Sequence, residues 1–345
     1  MISRTVAVTC AAVLFVSAAS HAETLDEIYE KAKAEKALVF YAGGPAAPHE
    51  NRAKEFMQRF PGITVSVAGG FSNVLNEKIN QQMAAKKLEA DLAFFQTVQD
   101  FVAWKKQGAL MSYKPDGFDQ VLPNFKDADG AYVAFSANAL TYAWNTKAVN
   151  PEDAPKSALD FLKPMFRGKL IAVYPHDDDA ALYLFYTIIQ KYGWGWMDKY
   201  MANKPNFVQG HLHVSRSVAS GENFATLDAS STTWPFKQQG QLDIAFSTVD
   251  DSPVFTLTGG IFKDAPHPNA AKLYVSWFLA KEQQTRLGSF SPRTDVPPPE
   301  GLQPLTSYKI ANNYREFMVN EPLVAEMRKR MEGIIGPIAN RGGVR

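Results

Sequence analysis

The side chains best equipped for chemistry fall in three clusters in the middle of this chain. Tyr174-Pro-His-Asp-Asp-Asp179 sets an imidazole beside three carboxylates. Such a set can ligate a hard or borderline metal, cap a helix start, or hydrogen-bond a ligand, with His176 and Asp178 as the contact residues. His211-Leu-His213 has the spacing of a metal pair, because alternation along a strand puts both rings on one face. No third ligand stands nearby in sequence, so boundary residues are the simpler reading. Arg216 can clamp a carboxylate or phosphonate through two parallel hydrogen bonds, or pair structurally with Glu222 or Asp228. Asp228-Ala-Ser-Ser-Thr-Thr-Trp234 is dense in hydroxyls, with Ser230 at its centre and an aromatic at its end.

The first third offers backbone chemistry instead. Tyr41-Ala-Gly-Gly44, Gly70-Phe-Ser-Asn73 and Gln96-Thr97 each follow an apolar run of strand length. Gly43 and Gly70 allow close backbone approach, and Ser72 or Asn73 opens a helix whose free amides favour an anionic group. Tyr41, Gln96, Ser136, Asn138 and Asp250 complete the expected ligand contacts. No Gly-x-Ser-x-Gly elbow, His-Glu-x-x-His pair or phosphate-cradling loop occurs. An enzyme would have to be built on His176, as a metal-dependent hydrolase; no catalytic residue, cofactor or resident metal is assigned.

The elements that hold these loops read as alternating strands and helices. Leu25 to Glu35 is helical, Ala37 to Tyr41 is a strand, and Pro48 to Phe60 is an amphipathic helix. Ile63 to Ala68, a helix Asn73 to Lys86 with Val74, Leu75, Ile79 and Met83 inward, Asp91 to Phe95, and a helix ending at Gly108 follow. This βαβαβα order implies an α/β fold with a parallel sheet, and ligands bind beyond the carboxyl ends of such strands. Tyr132 to Trp144 is one long extended segment. Leu170 to Val173, Ala180 to Lys191 and Leu242 to Phe246 form a second α/β unit. Asn269 is placed to cap a helix carrying Ala270, Leu273, Trp277 and Ala280 inward. Pro297-Pro-Pro-Glu-Gly301 is an exposed connection before a C-terminal helix.

At the amino end, Arg4, an apolar run from Val6 to Ala18 and Ser20-His21-Ala22 form a secretory signal peptide, residues 1–22. The run is too short to span a bilayer. The sole cysteine, Cys10, leaves with it, which excludes disulfides and thiolate chemistry from the mature chain. Of 36 basic and 35 acidic residues, Arg4 also leaves, so the mature charge balances. The absence of a basic stripe argues against nucleic acid or a membrane surface as partner.

The stretch Lys263-Asp-Ala-Pro-His-Pro-Asn-Ala-Ala-Lys272 and the apolar helix after it resemble the late segment of extracellular solute-binding proteins of bacterial ABC importers. The likeness runs from about Leu38 to about Val296. It implies a two-lobed type II periplasmic binding fold with a hinge of crossing strands, close to the ferric-iron-binding branch. By that likeness residues 23–137 plus 250–285 form the first lobe, and 138–249 plus 286–345 the second. It further implies a monomer in the periplasm that closes on a small polar, anionic organic ligand and delivers it to an ABC permease. Ferric relatives use adjacent tyrosines, and many hold an anion with an arginine near position 138. This chain contains no Tyr-Tyr pair and has Asn138 there, so the metal transfers poorly; ferric or other metal-ion transport is the alternative.

Overall fold

The computed structural model describes residues 23–339; the expected signal peptide lies outside them. Helix α1 (Leu25–Ala32) opens on a reciprocal cap, in which Glu27 N donates to Thr24 Oγ1 at 3.3 Å and Thr24 N to Glu27 Oε2 at 2.8 Å. The chain then runs β1 (Ala37–Gly43), α2 (Ala46–Arg59), β2 (Thr64–Gly70), α3 (Ser72–Ala84), β3 (Leu92–Phe95) and α4 (Val98–Lys106). β1 lies between β2 and β3, parallel to both, as the alternating pattern predicts. In α3 the buried face is Leu75 and Ile79, four residues apart. Val74, expected inward, is 58% exposed because it lies about a quarter-turn off that stripe.

The long extended segment is two strands, β4 (Val133–Ala139) and β5 (Thr141–Asn145). They belong to different sheets, so the chain changes sheets at Leu140. The second unit continues through β6 (Ile171–Val173), α5 (Asp179–Tyr192), α6 (Trp194–Ala202), β7 (Asn206–Val208), α7 (His211–Ser220), β8 (Ala225–Ala229), α8 (Trp234–Gln238) and β9 (Leu242–Ala245). Its strands run β8-β5-β9, and the parallel pair β6-β7 joins them through a parallel bridge from Leu170 to Ala225.

The return strand β10 (Ser252–Ile261) has ten residues. It pairs with both β3 and β4, completing the first sheet. Helices α9 (Pro268–Leu279) and α10 (Lys281–Thr285) follow, then β11 (Ile310–Ala311), α11 (Tyr314–Met318) and α12 (Glu321–Ile335). Ala270, Leu273 and Trp277 are buried as expected. Asn269, however, does not cap α9. Glu35, beyond the end of α1, accepts from Asn269 N at 3.1 Å and Ala270 N at 2.7 Å. A carboxylate satisfies free helix amides more strongly than a neutral amide oxygen.

The tail divides between the two units. Phe290 bridges Ala137, and β11 pairs with β10, so residues 286–311 pack on the first sheet rather than the second lobe expected for them. Phe290 and Leu305 join Phe40, Phe94 and Tyr274 in that sheet's core. Helices α11 and α12 pack on α5, where Tyr186 and Phe317 stack at 4.6 Å.

Candidate functional site

Residues next to two sets of strand ends meet where the two units join, and the space between those ends is the candidate cleft. The parallel strands β1, β2 and β3 end at Gly43, Gly70 and Phe95, and β6, β7 and β8 end at Val173, Val208 and Ala229. Two hydrogen bonds cross between them. Gln99 Nε2 donates to Asp179 Oδ2 at 3.2 Å, and Ser231 Oγ to Asn138 Oδ1 at 3.0 Å.

On the first-sheet side the loops are held by backbone. Gly44 N donates to the Gly70 carbonyl at 2.8 Å, tying the first two strand ends together. A Cβ on Gly69 would lie 2.6 Å from Ala46 N, and one on Gly43 would lie 2.4 Å from Ser72 Oγ, so glycine is what permits both approaches. Ser72 opens α3 beside Gly43, with Phe71 at the N-cap and no side chain capping the first amides. Asn73 is exposed next to it, and Gln96 is half-buried after β3. Beyond Gln96, Thr97 Oγ1 and Asn76 Nδ2 donate to Asp100 at 2.5 and 2.7 Å. Burial raises Asp100 to about 6; the Thr97 bond opposes the rise and the nearby Asp179 charge adds to it.

Two expected contacts do not reach this site. Tyr41 lies within β1 rather than at its end, with its side chain beneath α3. Its hydroxyl donates to Glu89 at 3.2 Å and accepts from Gln82 at 3.1 Å. Ser136 is buried in the middle of β4, opposite Leu257.

The other side is built from ionisable side chains. Asp178 caps α5, accepting from Ala180 N and Ala181 N, both at 2.9 Å. Its neighbour Asp179 is buried and takes both Gln99 and the Arg328 guanidinium from α12. Burial raises the Asp179 carboxyl, while Arg328 works against the shift. His176 packs edge-on to Tyr174 at 5.4 Å, and both its ring nitrogens are buried without a partner. Burial lowers its pKa, against the fields of Glu332 and Asp177.

His211 and His213 are not on a strand. They occupy the first turn of α7, where two residues span more than half a turn, so the rings diverge. His211 Nε2 meets Asp228 Oδ1 at 3.0 Å and its Nδ1 lies 4.0 Å from Asp178, while His213 is exposed. Burial opposes the charge on His211, but these two carboxylates hold its pKa up at about 9. Ser230 Oγ meets Thr232 Oγ1 at 2.9 Å, and Thr232 in turn meets Ser215 at 2.7 Å. Trp234 packs edge-on to Phe290.

Arg216 lies inside α7, not ahead of a helix, and is exposed, with no ion pair to Glu222 or Asp228 among the described residues. Asp250 is likewise no free contact. Tyr142, Ala158 N, Lys191 and Tyr192 all donate to it within 2.8 Å, so its oxygens are occupied in fastening the second crossing.

The sequence profile of the bacterial extracellular solute-binding proteins matches residues 51–312. This chain belongs to that family. The Fe(3+)-binding periplasmic protein of Serratia marcescens is 22% identical over 272 residues, which cover 74% of this chain and 77% of the relative. Among solved structures, iron-bound HitA from Pseudomonas aeruginosa superposes with a TM-score of 0.72 at 18% identity, over 86% of this chain and 99% of HitA. AfuA from Actinobacillus pleuropneumoniae, with fructose-6-phosphate bound, gives 0.71 at 21% identity, over 87% and 99%. These likenesses establish the two-lobed type II binding fold.

The two structural neighbours of this solute-binding protein hold cargo as unlike as iron and a sugar phosphate, so its own side chains must decide. Among the described residues, no three His, Cys, Asp or Glu side chains are grouped to hold a metal ion. Sequence reasoning missed Gln99, Asp100, Tyr314 and Arg328, and did not foresee the partners of Asp179. The acids at 178–179 were visible as a cluster, but Arg328 lies 149 residues from Asp179, and no local spacing connects them.

Proposed function

We propose that this solute-binding protein traps a small polar organic solute between its lobes and presents the closed form, as a monomer, to the permease of an ABC importer. The observation that carries the reading is the pair of direct hydrogen bonds across the cleft, Gln99–Asp179 and Asn138–Ser231. Both join residues next to opposing strand ends, where open α/β sheets bind ligands. A solute touching both sides favours the closed arrangement by its differential contacts.

In this reading the lobes part at Leu140 and again between β9 and β10, and residues 1–22 are removed on export to the periplasm. Gly43, Gly70, Ser72, Asn73 and Gln96 contact the solute from the first lobe. Asn138 does so from the crossing, and His176 and Ser230 from the second lobe. The uncapped start of α3 takes an acidic group of the solute through its free amides. Asp178 already occupies the corresponding amides of α5, so the second lobe offers no matching anion seat. The ferric alternative loses its support with the tyrosine pair and the grouped ligands both missing from the described residues. The protein then acts as a carrier, and no step of bond chemistry is assigned to it.

A thermal-shift and calorimetry screen of residues 23–345 tests this, with organic acids, amines, sugars and metal ions as probes. A solute at one hundred times its Kd adds about 2.7 kcal/mol to stability. The expected result is a shift with an organic solute that Ser72→Ala weakens without lowering the unliganded midpoint. A shift with ferric ion alone, reversed by chelator, would replace this reading with metal transport.

A further inference from the structure

The seam between the lobes contains polar atoms that nothing satisfies. Gln99 Oε1, Tyr314 Oη and Arg328 Nε are buried without a hydrogen-bond partner. Tyr314 is only 4% exposed, so its hydroxyl cannot find bulk water. Buried groups left unpaired are costly, and the two oxygens, on elements that meet at one seam, mark a place for a guest that donates hydrogen bonds; Arg328 Nε, itself a donor, is not served by such a guest.

The charges there do not balance. Asp179 is paired with Arg328, but Asp100 receives only the neutral donors Thr97 and Asn76. Only one of the two carboxylates has a cationic partner, and the unpaired negative charge sits on Asp100, a residue only 9% exposed. The other ionisable groups near the seam do not cancel it: the His211 ring stands between two carboxylates, Asp228 and Asp178, and is outnumbered by them. Asp178 adds negative charge near Tyr314, and burial holds the His176 ring towards its neutral form.

We infer that this seam is the seat of an ammonium group of the solute, held by Asp100, Asp179, Gln99 Oε1 and Tyr314 Oη. An ammonium group has three donors and no acceptor, which matches the unpartnered acceptors and supplies the missing positive charge. Arg328 does not contact the ammonium; it fixes the Asp179 carboxylate and is a positioning residue. Tyr314 and Arg328 both follow the segment matched to the family, residues 51–312, so this seat is built partly from the chain's own tail.

The inference rests on the proposed capture between lobes and narrows its solute. Asn76, which donates to Asp100, lies one turn along α3 from Ser72, so the ammonium seat adjoins the amides proposed for an acidic group. The class that fits is a small zwitterion, with an amine and an acid on one short frame.

The test compares thermal unfolding of residues 23–345 in equal concentrations of methylammonium chloride and sodium chloride, with the scattering radius measured in both. The wild type is expected to unfold about 2 °C higher in methylammonium. Asp100→Asn should abolish that difference and Tyr314→Phe should halve it. The phenylalanine keeps the packing, so its effect is not one of misfolding. Identical midpoints for the wild type in the two salts, or a difference that both variants retain, would overturn the seat. A methylammonium shift without contraction keeps the seat and rejects lobe closure. Contraction by a nitrogen-free organic acid, with no methylammonium shift, rejects the seat and keeps closure.

Discussion

Each lobe carries a fully buried aspartate that joins a strand to a histidine, and the two differ in where on the sheet they lie. Asp91, just ahead of β3, accepts from Val39 N of β1 at 2.7 Å and from His267 through both its backbone N at 2.6 Å and Nδ1 at 3.0 Å. Asp228, in β8, accepts from Val173 N, the last residue of β6, at 2.8 Å, and meets His211 Nε2 at 3.0 Å. The chemistry is the same: a carboxylate stitches a neighbouring strand and fixes the start of a helix. Asp91 does so at the amino end of its strand, away from the cleft, and Asp228 near the carboxyl end, beside it. His211 also has a second carboxylate, Asp178, within 4.0 Å. The family-bearing Ala-Pro-His-Pro stretch is thus scaffold, and the histidine at the cleft is one the sequence pattern passed over as boundary.

Removing either carboxylate should give the largest losses. Asp228→Ala leaves His211 buried beside a lost partner and Val173 N unpaired, and should cost about 3–5 kcal/mol in urea unfolding. Asp91→Ala should cost a similar amount. The two separate in calorimetry: Asp228→Ala should weaken solute binding and Asp91→Ala should leave it within twofold. Equal loss of binding in both would mean that distance from the cleft does not govern function. Next in size is Gly69→Ala, whose new methyl meets Ala46 backbone atoms at 2.6 and 2.7 Å. Backbone cannot step aside as a side chain can, so about 1–3 kcal/mol of destabilisation is expected. Gly43→Ala should cost less, because Ser72 can rotate away.

The pH response sharpens the contrast. The folded pKa of His211, about 9, is raised above its ordinary value of 6.5. Its stabilisation is therefore complete below pH 6.5 and is lost as pH rises through 9, a drop on the order of 3 kcal/mol. His211→Gln should flatten that alkaline limb in chemical unfolding measured across the range. Asp100 runs the other way. Raised from 3.8 to about 6, it burdens the fold at neutral pH and relieves it as pH falls from 6 towards 4. Asp100→Asn should remove that acid-side gain.

Much of the first lobe was legible because its logic is local. Apolar runs of period two and of helical period alternate, glycines punctuate the strand ends, and parallel pairing follows. The crossing strands were also visible, as an extended stretch with no helical period. What escaped was whatever depends on a distant partner. Asn269 is shaped like a cap, yet a carboxylate beyond the end of α1 takes its place. His211-Leu-His213 reads as strand by spacing alone, but Gly210 and a buried stripe of Val214 and Val218 make it a helix. Asp250 lies where expected at the second crossing, but its four donors come from β5, the chain at Ala158 and the end of α5. Arg328 meets Asp179 from 149 residues further along the chain, a separation that no local pattern spans.

The smallest expected effect is at Arg216. Its type suits an anion clamp, but the structure places it on the exposed face of α7, more than one turn past the cleft end at His211. With no ion pair among the described residues, Arg216→Ala should change stability by no more than about 0.5 kcal/mol. Solute affinity should move less than twofold, because a solvated surface charge is weakened by salt and Arg216 is not among the residues at the strand ends. The comparison with Ser72→Ala is the informative one. If the acidic group sits at the start of α3, the serine variant loses binding and the arginine variant does not. A reversed order, with Arg216→Ala costing tenfold or more at unchanged stability, would mean that closure carries α7 over the solute. The acidic group would then belong to the second lobe, and the division between a backbone-built first lobe and an ionisable second lobe would have to be redrawn.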